Sequence, residues 1–208
     1  MIYKGWMDSI KQLIFNHPNL EKLENDVRTA ARIITDCFKS GGKLLLCGNG
    51  GSCADCEHIS GELVKQFAKD RPLESDIVAK LGPELSAELH GGLPALSLPS
   101  MVGFHTAFNN DDNPEFGFAQ QVIAFGKPED ILWGISTSGN SKNVINAVKT
   151  AKALGLHTIG LTGEDGGTLS KIANTAIHAP AENVASIQEL HLPIYHAICA
   201  FVEDQIFS

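Results

Sequence analysis

The sequence has no uninterrupted apolar run long enough to span a bilayer, and it lacks the polar bias of a disordered chain, with 43% hydrophobic and 19% charged residues. Basic residues are in short supply. Sixteen Lys and Arg face twenty-four acids, a net charge of -8, which argues against electrostatic capture of nucleic acid or of an anionic membrane. Cysteine is also scarce: five residues, an odd number, make no disulfide framework and suit free thiols in a reducing compartment. The segment Met1 to Asp8 brings in an acid before an apolar signal core can form, so no secretory signal is expected and the expected location is the cytoplasm. No repeat or low-complexity tract is present, and 208 residues suit one well-buried core. Residues 1–208 are therefore read as a single domain.

What the sequence does contain is a regular alternation of short apolar runs and helical patterns. Residues 1–40 carry helical spacing, as in Leu20, Leu23, Val27, Ala30, Ala31 and Ile34, and predict two helices broken near Pro18. Buried strands are predicted at Lys43–Cys47, Leu93–Leu98, Ile131–Ile135 and Thr158–Leu161, with a fifth apolar stretch at Thr175–His178. Helices are predicted between them at Cys53–Phe67, Phe116–Phe125 and Asn143–Leu154, and finally at Ala185–Val202. Residues 69–92 interrupt the rhythm and read as an inserted helical segment or lid. The alternation predicts an α/β layer sandwich on a parallel sheet with added N-terminal helices.

In such a sheet ligands bind beyond the carboxyl ends of the strands. Three turns there look like anion sites, Gly48-Asn49-Gly50-Gly51-Ser52 after the first strand, Ser136-Thr137-Ser138-Gly139-Asn140-Ser141 after the third and Thr162-Gly163-Glu164-Asp165-Gly166-Gly167 after the fourth, and the first two carry small hydroxyls with no obstructing side chains. Small residues at helix N-termini leave backbone N–H groups free for a phosphate, although the same residues also serve plain tight turns and caps. The first turn is not a dinucleotide fingerprint, since Cys53 stands at the last glycine position and no acid follows the second strand. A nucleotide-hydrolysing P-loop is excluded by the absence of a Gly-Lys-Ser/Thr ending.

His58 and Glu62, at i and i+4, share a helix face and could hold a metal, act as acid and base, or form an ordinary helix contact. The last helix concentrates Gln188, Glu189, His191 and His196. Cys53 and Cys56 form a C-x-x-C without a thioredoxin-like context and are read as packing residues.

Taken in order, Cys47-Gly48-Asn49-Gly50-Gly51-Ser52 with His58 and Glu62, Gly134-Ile135-Ser136-Thr137-Ser138-Gly139-Asn140-Ser141, and Ile187-Gln188-Glu189-Leu190-His191 with His196 resemble the sugar isomerase (SIS) domain family. The likeness is strongest to its heptose-phosphate isomerases. The resemblance implies a three-layer, flavodoxin-like fold with a five-stranded parallel sheet, a homotetramer, and interconversion of sedoheptulose 7-phosphate with D-glycero-D-manno-heptose 7-phosphate.

By the same resemblance, Asn49, Gly50, Gly51 and Ser52 form the first substrate loop, Ser136, Thr137, Ser138 and Ser141 the phosphate cradle, and Asn110-Asp111 a further substrate contact. His58, Glu62, Gln188 and His196 correspond to zinc ligands. Glu62 and His196 are the acid/base candidates, and Glu62 and Gln188 also touch substrate. The chain departs from the family at Met101 and Ala185, where acids are common, and in the length of the 69–92 insertion. A non-catalytic module that binds a sugar phosphate or a replication-initiation protein, or an isomerase of another sugar, is the alternative.

Eight residues separate Gln188 from His196, about 12 Å along a helix. Both cannot readily meet one zinc from one chain, so one of them is expected to reach the metal of a neighbouring chain, putting the site at a subunit interface.

Overall fold

The structure, a computed structural model, describes residues 8–207. Two helices open it, α1 (Ser9–Asn16) and α2 (Glu24–Lys39), joined by a 3-10 turn over Pro18–Leu23 that begins at the expected proline. Asp8 caps α1 by accepting from the amides of Ile10 and Lys11.

Strands β1 (Leu44–Cys47), β2 (Ala95–Ser97), β3 (Ile131–Ile135), β4 (His157–Thr162) and β5 (Thr175–His178) form one all-parallel sheet in the order β2-β1-β3-β4-β5. Leu45 faces Leu96 on one side and Leu132 on the other, and Trp133 faces Ile159. β2 is shorter than the predicted Leu93–Leu98 run. Pro94 precedes it and supplies only a carbonyl, to Leu44 N, while Leu98-Pro99-Ser100 coils into a 3-10 turn.

Side chains alternate along each strand, so the sheet feeds two cores. Leu44, Leu46, Trp133, Ile135, Ile159, Leu161 and Ile177 pack with α1, α2, α3 (Gly51–Val64) and α9 (Val184–Ile206). On the other face Leu45, Cys47 and Leu132 pack with α6 (Gly117–Phe125), α7 (Lys142–Ala153) and α8 (Gly167–Ile172). The result is the three-layer α/β arrangement expected of the sequence. Two further helices, α4 (Ser75–Ser86) and α5 (Val102–Asp111), contribute no buried residue. α4 lies within 69–92 and kinks at Gly82-Pro83, where Gly82 takes a φ of 76°. Among the described residues no helix is long and apolar enough to cross a membrane.

Candidate functional site

β1 and β3 are neighbours in the sheet whose following connections diverge to opposite faces, into α3 and α7, which makes the crevice between them a switch point where α/β proteins hold ligands. The turn after β1 needs its glycines. Gly50 adopts a φ of 57°, and a Cβ on Gly48 would lie 2.7 Å from the Ser52 carbonyl oxygen. The N-cap residues of α3 and α7, Gly50 and Ser141, make no side-chain capping bond, although Asn143 Oδ1 accepts from Val144 N in the first turn of α7. Ser141, at the α7 cap position, turns its hydroxyl to the buried Ser136 instead, 3.0 Å away. Two helix N-termini therefore present positive dipole ends on one edge of the sheet.

Asn49 and Asn143 lock the two turns together through reciprocal amide hydrogen bonds of 2.9 Å. Asn140 ties the second turn to α8, accepting from Thr168 N and Oγ1 at 3.0 Å. Gly48, Asn49, Gly50, Cys53 and Asn143 line one wall of a cavity of about 350 Å³, and Pro99, Val102, His105, Thr106 and Asn109 line another. Thr137 and Ser138 open onto a different cleft, with Glu164, Asp165 and Glu182. Ser138 Oγ accepts from Asn140 N at 3.2 Å, so this hydroxyl already braces its own turn. Asn110 and Asp111 are exposed, bonded to each other at 2.7 Å, and line neither space.

Two turns along α3, His58 and Glu62 meet His196 of α9. His58 Nε2 lies 3.1 Å from Glu62 Oε1 and 3.3 Å from His196 Nε2, and the three ligand-type atoms all lie within 4.8 Å of one another. A tetrahedral zinc with bonds of about 2.0–2.1 Å sets its ligand atoms about 3.3 Å apart. Both His58 distances fit that spacing, and the donor set of two imidazoles and one carboxylate suits zinc chemistry. Glu62 is 8% exposed, and its Oε2 pairs with Lys65 Nζ at 2.7 Å. Burial, and then the nearby His58, hold His196 below the usual histidine pKa, with Glu62 pulling the other way.

Gln188 stands apart from this group. A Cβ on Gly51 would come 2.1 Å from Gln188 Nε2, which puts that amide at the start of α3, about 10 Å along the helix from His58. His196, by contrast, joins His58 and Glu62 within one chain. His191 is fully buried with Nε2 against the Thr162 carbonyl at 3.2 Å, and Glu189 is exposed; neither joins the cluster. Burial raises the pKa of both Cys53 and Cys56, so neither is an activated thiol.

The sequence reading missed the support beneath Glu62. Arg71 and Glu203 form an ion pair with both side chains fully buried, Nε to Oε1 at 2.6 Å. The same guanidinium donates to the carbonyls of Glu62 and Leu63 at 2.8 and 2.6 Å, satisfying the C-terminus of α3. Glu203 also accepts from the amides of Phe67, Ala68 and Lys69. No local pattern announces partners 132 residues apart.

Residues 6–163 match the sequence profile of the family described as SIS domain. A protein of Crocosphaera subtropica named phosphoheptose isomerase is 43% identical over 194 residues, spanning 93% of this chain and 87% of that one. Another of that name from Aneurinibacillus thermoaerophilus is 38% identical over 199 residues, 96% of this chain and 89% of the relative. The solved structure of phosphoheptose isomerase GmhA from Neisseria gonorrhoeae superimposes with a TM-score of 0.75 at 33% identity, covering 93% of this chain and 94% of that one.

Proposed function

The chain belongs to the SIS domain family, and from that premise we propose that it is an aldose–ketose isomerase interconverting sedoheptulose 7-phosphate and D-glycero-D-manno-heptose 7-phosphate. The relatives named phosphoheptose isomerase support the substrate class. The observation that carries the reading is the meeting of His58 and Glu62, on the helix whose uncapped N-terminus faces the crevice, with His196 of α9. A module that only binds a sugar phosphate needs the turns and not this acid/base set.

The substrate phosphate sits against the α7 N-terminus, held by the hydroxyls of Ser136, Thr137, Ser138 and Ser141, and Asn49 through Ser52 contact the sugar. Asn110, Asp111 and Gln188 complete the contacts in our reading. Glu62 removes a proton from C1 of the ketose, leaving an enediolate, and the same carboxyl returns it to C2. His196 carries the hydroxyl proton from O1 to O2, so that no net proton is gained or lost. The buried position of Glu62 excludes water from the carboxylate, and the exposed Lys65 is a loose counterion that does not lock it.

His58, Glu62 and His196 would hold a zinc ion, which when bound stabilises the negative charge on the substrate oxygen. The fourth ligand in this reading is Gln188 of a second copy, since within one chain Gln188 is two turns from the group. That makes the active form an oligomer, taken here as a homotetramer, and a cytoplasmic setting agrees with five free thiols.

The test is incubation with ketose phosphates in heavy water, following deuterium uptake at the carbon beside the carbonyl. Uptake with sedoheptulose 7-phosphate that Glu62→Gln abolishes supports the proposal. Phosphate-dependent binding without uptake would reduce the chain to a binding module. Uptake only with another ketose phosphate would change the sugar and keep the chemistry.

A further inference from the structure

Tyr195 precedes His196 on α9, yet its side chain serves the histidine on the other helix. It is 1% exposed, its ring meets the His58 ring edge to face with centroids 5.4 Å apart, and its hydroxyl lies 3.0 Å from His58 Nδ1. Nδ1 is the ring nitrogen not turned toward Glu62 and His196. The carboxylate of Asp55, one turn before His58 on α3, lies near enough to the same hydroxyl for it to pull down a pKa that burial raises. Asp55 Oδ2 is buried and has no hydrogen-bond partner among the described residues.

One hydroxyl hydrogen has two claimants, and the arrangement around His58 decides between them. If the hydroxyl donates to Nδ1, then Nε2 carries the ring proton, and the buried Oδ2 of Asp55 is left without a donor, which is costly. If the hydroxyl donates to Asp55, its oxygen accepts from Nδ1–H, and the Nε2 lone pair is directed at the space between Glu62 and His196. Only the second arrangement leaves Nε2 free for a cation, and a ligating histidine characteristically donates its other ring N–H to an outer partner.

We propose that Tyr195 is a positioning residue for the metal centre, accepting the Nδ1 proton of His58 while donating its own to Asp55, and so fixing the ring and tautomer that direct Nε2 at the ion. This rests on the reading of His58, Glu62 and His196 as metal ligands. Tyr195 touches no substrate in it; its effect passes wholly through His58.

The experiment measures zinc affinity of the metal-free full chain by competition with a chromogenic chelator, for wild type, Tyr195→Phe, Asp55→Asn and the double variant. Tyr195→Phe keeps the ring packing and removes only the hydroxyl. Its zinc Kd is expected to rise by about 10- to 100-fold, and the Tm of the metal-free protein to drop by only a few degrees as Asp55 loses its donor. Asp55→Asn is expected to weaken zinc binding less, and to add nothing once Tyr195 is Phe, because the acid acts through the hydroxyl.

A spectroscopic readout accompanies it. In zinc-loaded wild type with ¹⁵N-labelled histidine, the His58 Nδ1 proton should exchange slowly, and Tyr195→Phe should lose that signal. Wild-type affinity in Tyr195→Phe overturns the inference, as does an Asp55→Asn effect of equal size in both backgrounds. A wild-type chain that takes up no zinc overturns the metal reading itself, and this inference with it.

Discussion

Glu203→Gln is a one-atom change with a large expected cost. The carboxylate accepts four hydrogen bonds at 2.6 to 3.0 Å, one from the Arg71 guanidinium and three from the consecutive amides of residues 67–69. Every partner is a donor. Glutamine keeps one acceptor oxygen and turns an NH₂ group toward the remaining donors, while Arg71 keeps its charge in a site where both side chains are fully buried. Breaking a buried pair by removing one partner costs about 3–5 kcal/mol, which for a chain of this size corresponds to a drop of about 6–20 °C in Tm. Urea unfolding read by circular dichroism should show a lower midpoint with an unchanged slope. Arg71→Met should cost less, because Glu203 retains its three backbone donors, although the Glu62 carbonyl loses the Arg71 donor and the Leu63 carbonyl is left with Leu93 N. A Glu203→Gln penalty below about 1 kcal/mol, or a larger penalty for Arg71→Met, would refute this account of the pair.

Burial lowers the pKa of His191 to about 4, so the unfolded chain binds a proton near pH 6.5 that the folded chain refuses. Stability should therefore fall as pH drops from 6.5 toward 4, by about 3 kcal/mol from this residue, and His191→Leu should flatten that part of the unfolding-midpoint profile; an unchanged profile would contradict it. Gly51→Ala puts a methyl where Gln188 Nε2 lies, so turnover should fall by more than tenfold with little loss of Tm, because the flexible amide and not the backbone gives way. Gly139 has a φ of 63° and a Cβ there would meet the Gly166 carbonyl oxygen at 2.0 Å; Gly139→Ala should lose at least about 2 kcal/mol in urea unfolding. In a mixture of reassembled subunits, Gln188→Ala with Glu62→Gln should regain activity where His196→Ala with Glu62→Gln does not, and recovery in the second mixture alone would invert the assignment.

The sheet was legible because its central strands are apolar on both faces: Ile131–Ile135 is buried at every position, and a continuous run of that kind bounded by loop residues reads as a buried parallel strand. α5 left no such trace. Its sequence, Val102–Asp111, buries nothing, so it carries no apolar stripe for periodicity to detect, and the six residues of α8 bury only Leu169. Within the site, the approach of His58 and Glu62 was readable from their i, i+4 spacing, and the distance between Gln188 and His196 from the rise of a helix. Which of the two would stand with His58 depended on how α9 packs on α3. The clasp of Asn49 with Asn143, the support from Arg71 and the contact of Tyr195 with His58 join residues 94, 8 to 9 and 137 positions apart. The long pairings are set by tertiary packing, and Arg71 lies in a loop whose path no local propensity dictates.

The segment that carries α4 departs and returns at one point. Gly91 N bonds the Arg71 carbonyl at 2.8 Å and Leu93 N bonds that of Leu63 at 2.9 Å, so the two ends are stitched together before the excursion begins. Closing a loop whose ends already meet costs little more as it lengthens, about 0.6 kcal/mol for each doubling. Residues 72–90 thus form an appendage on a sealed base, where evolution or an engineer can trim, lengthen or graft a foreign peptide while the end of α3 and its Glu62 stay in place.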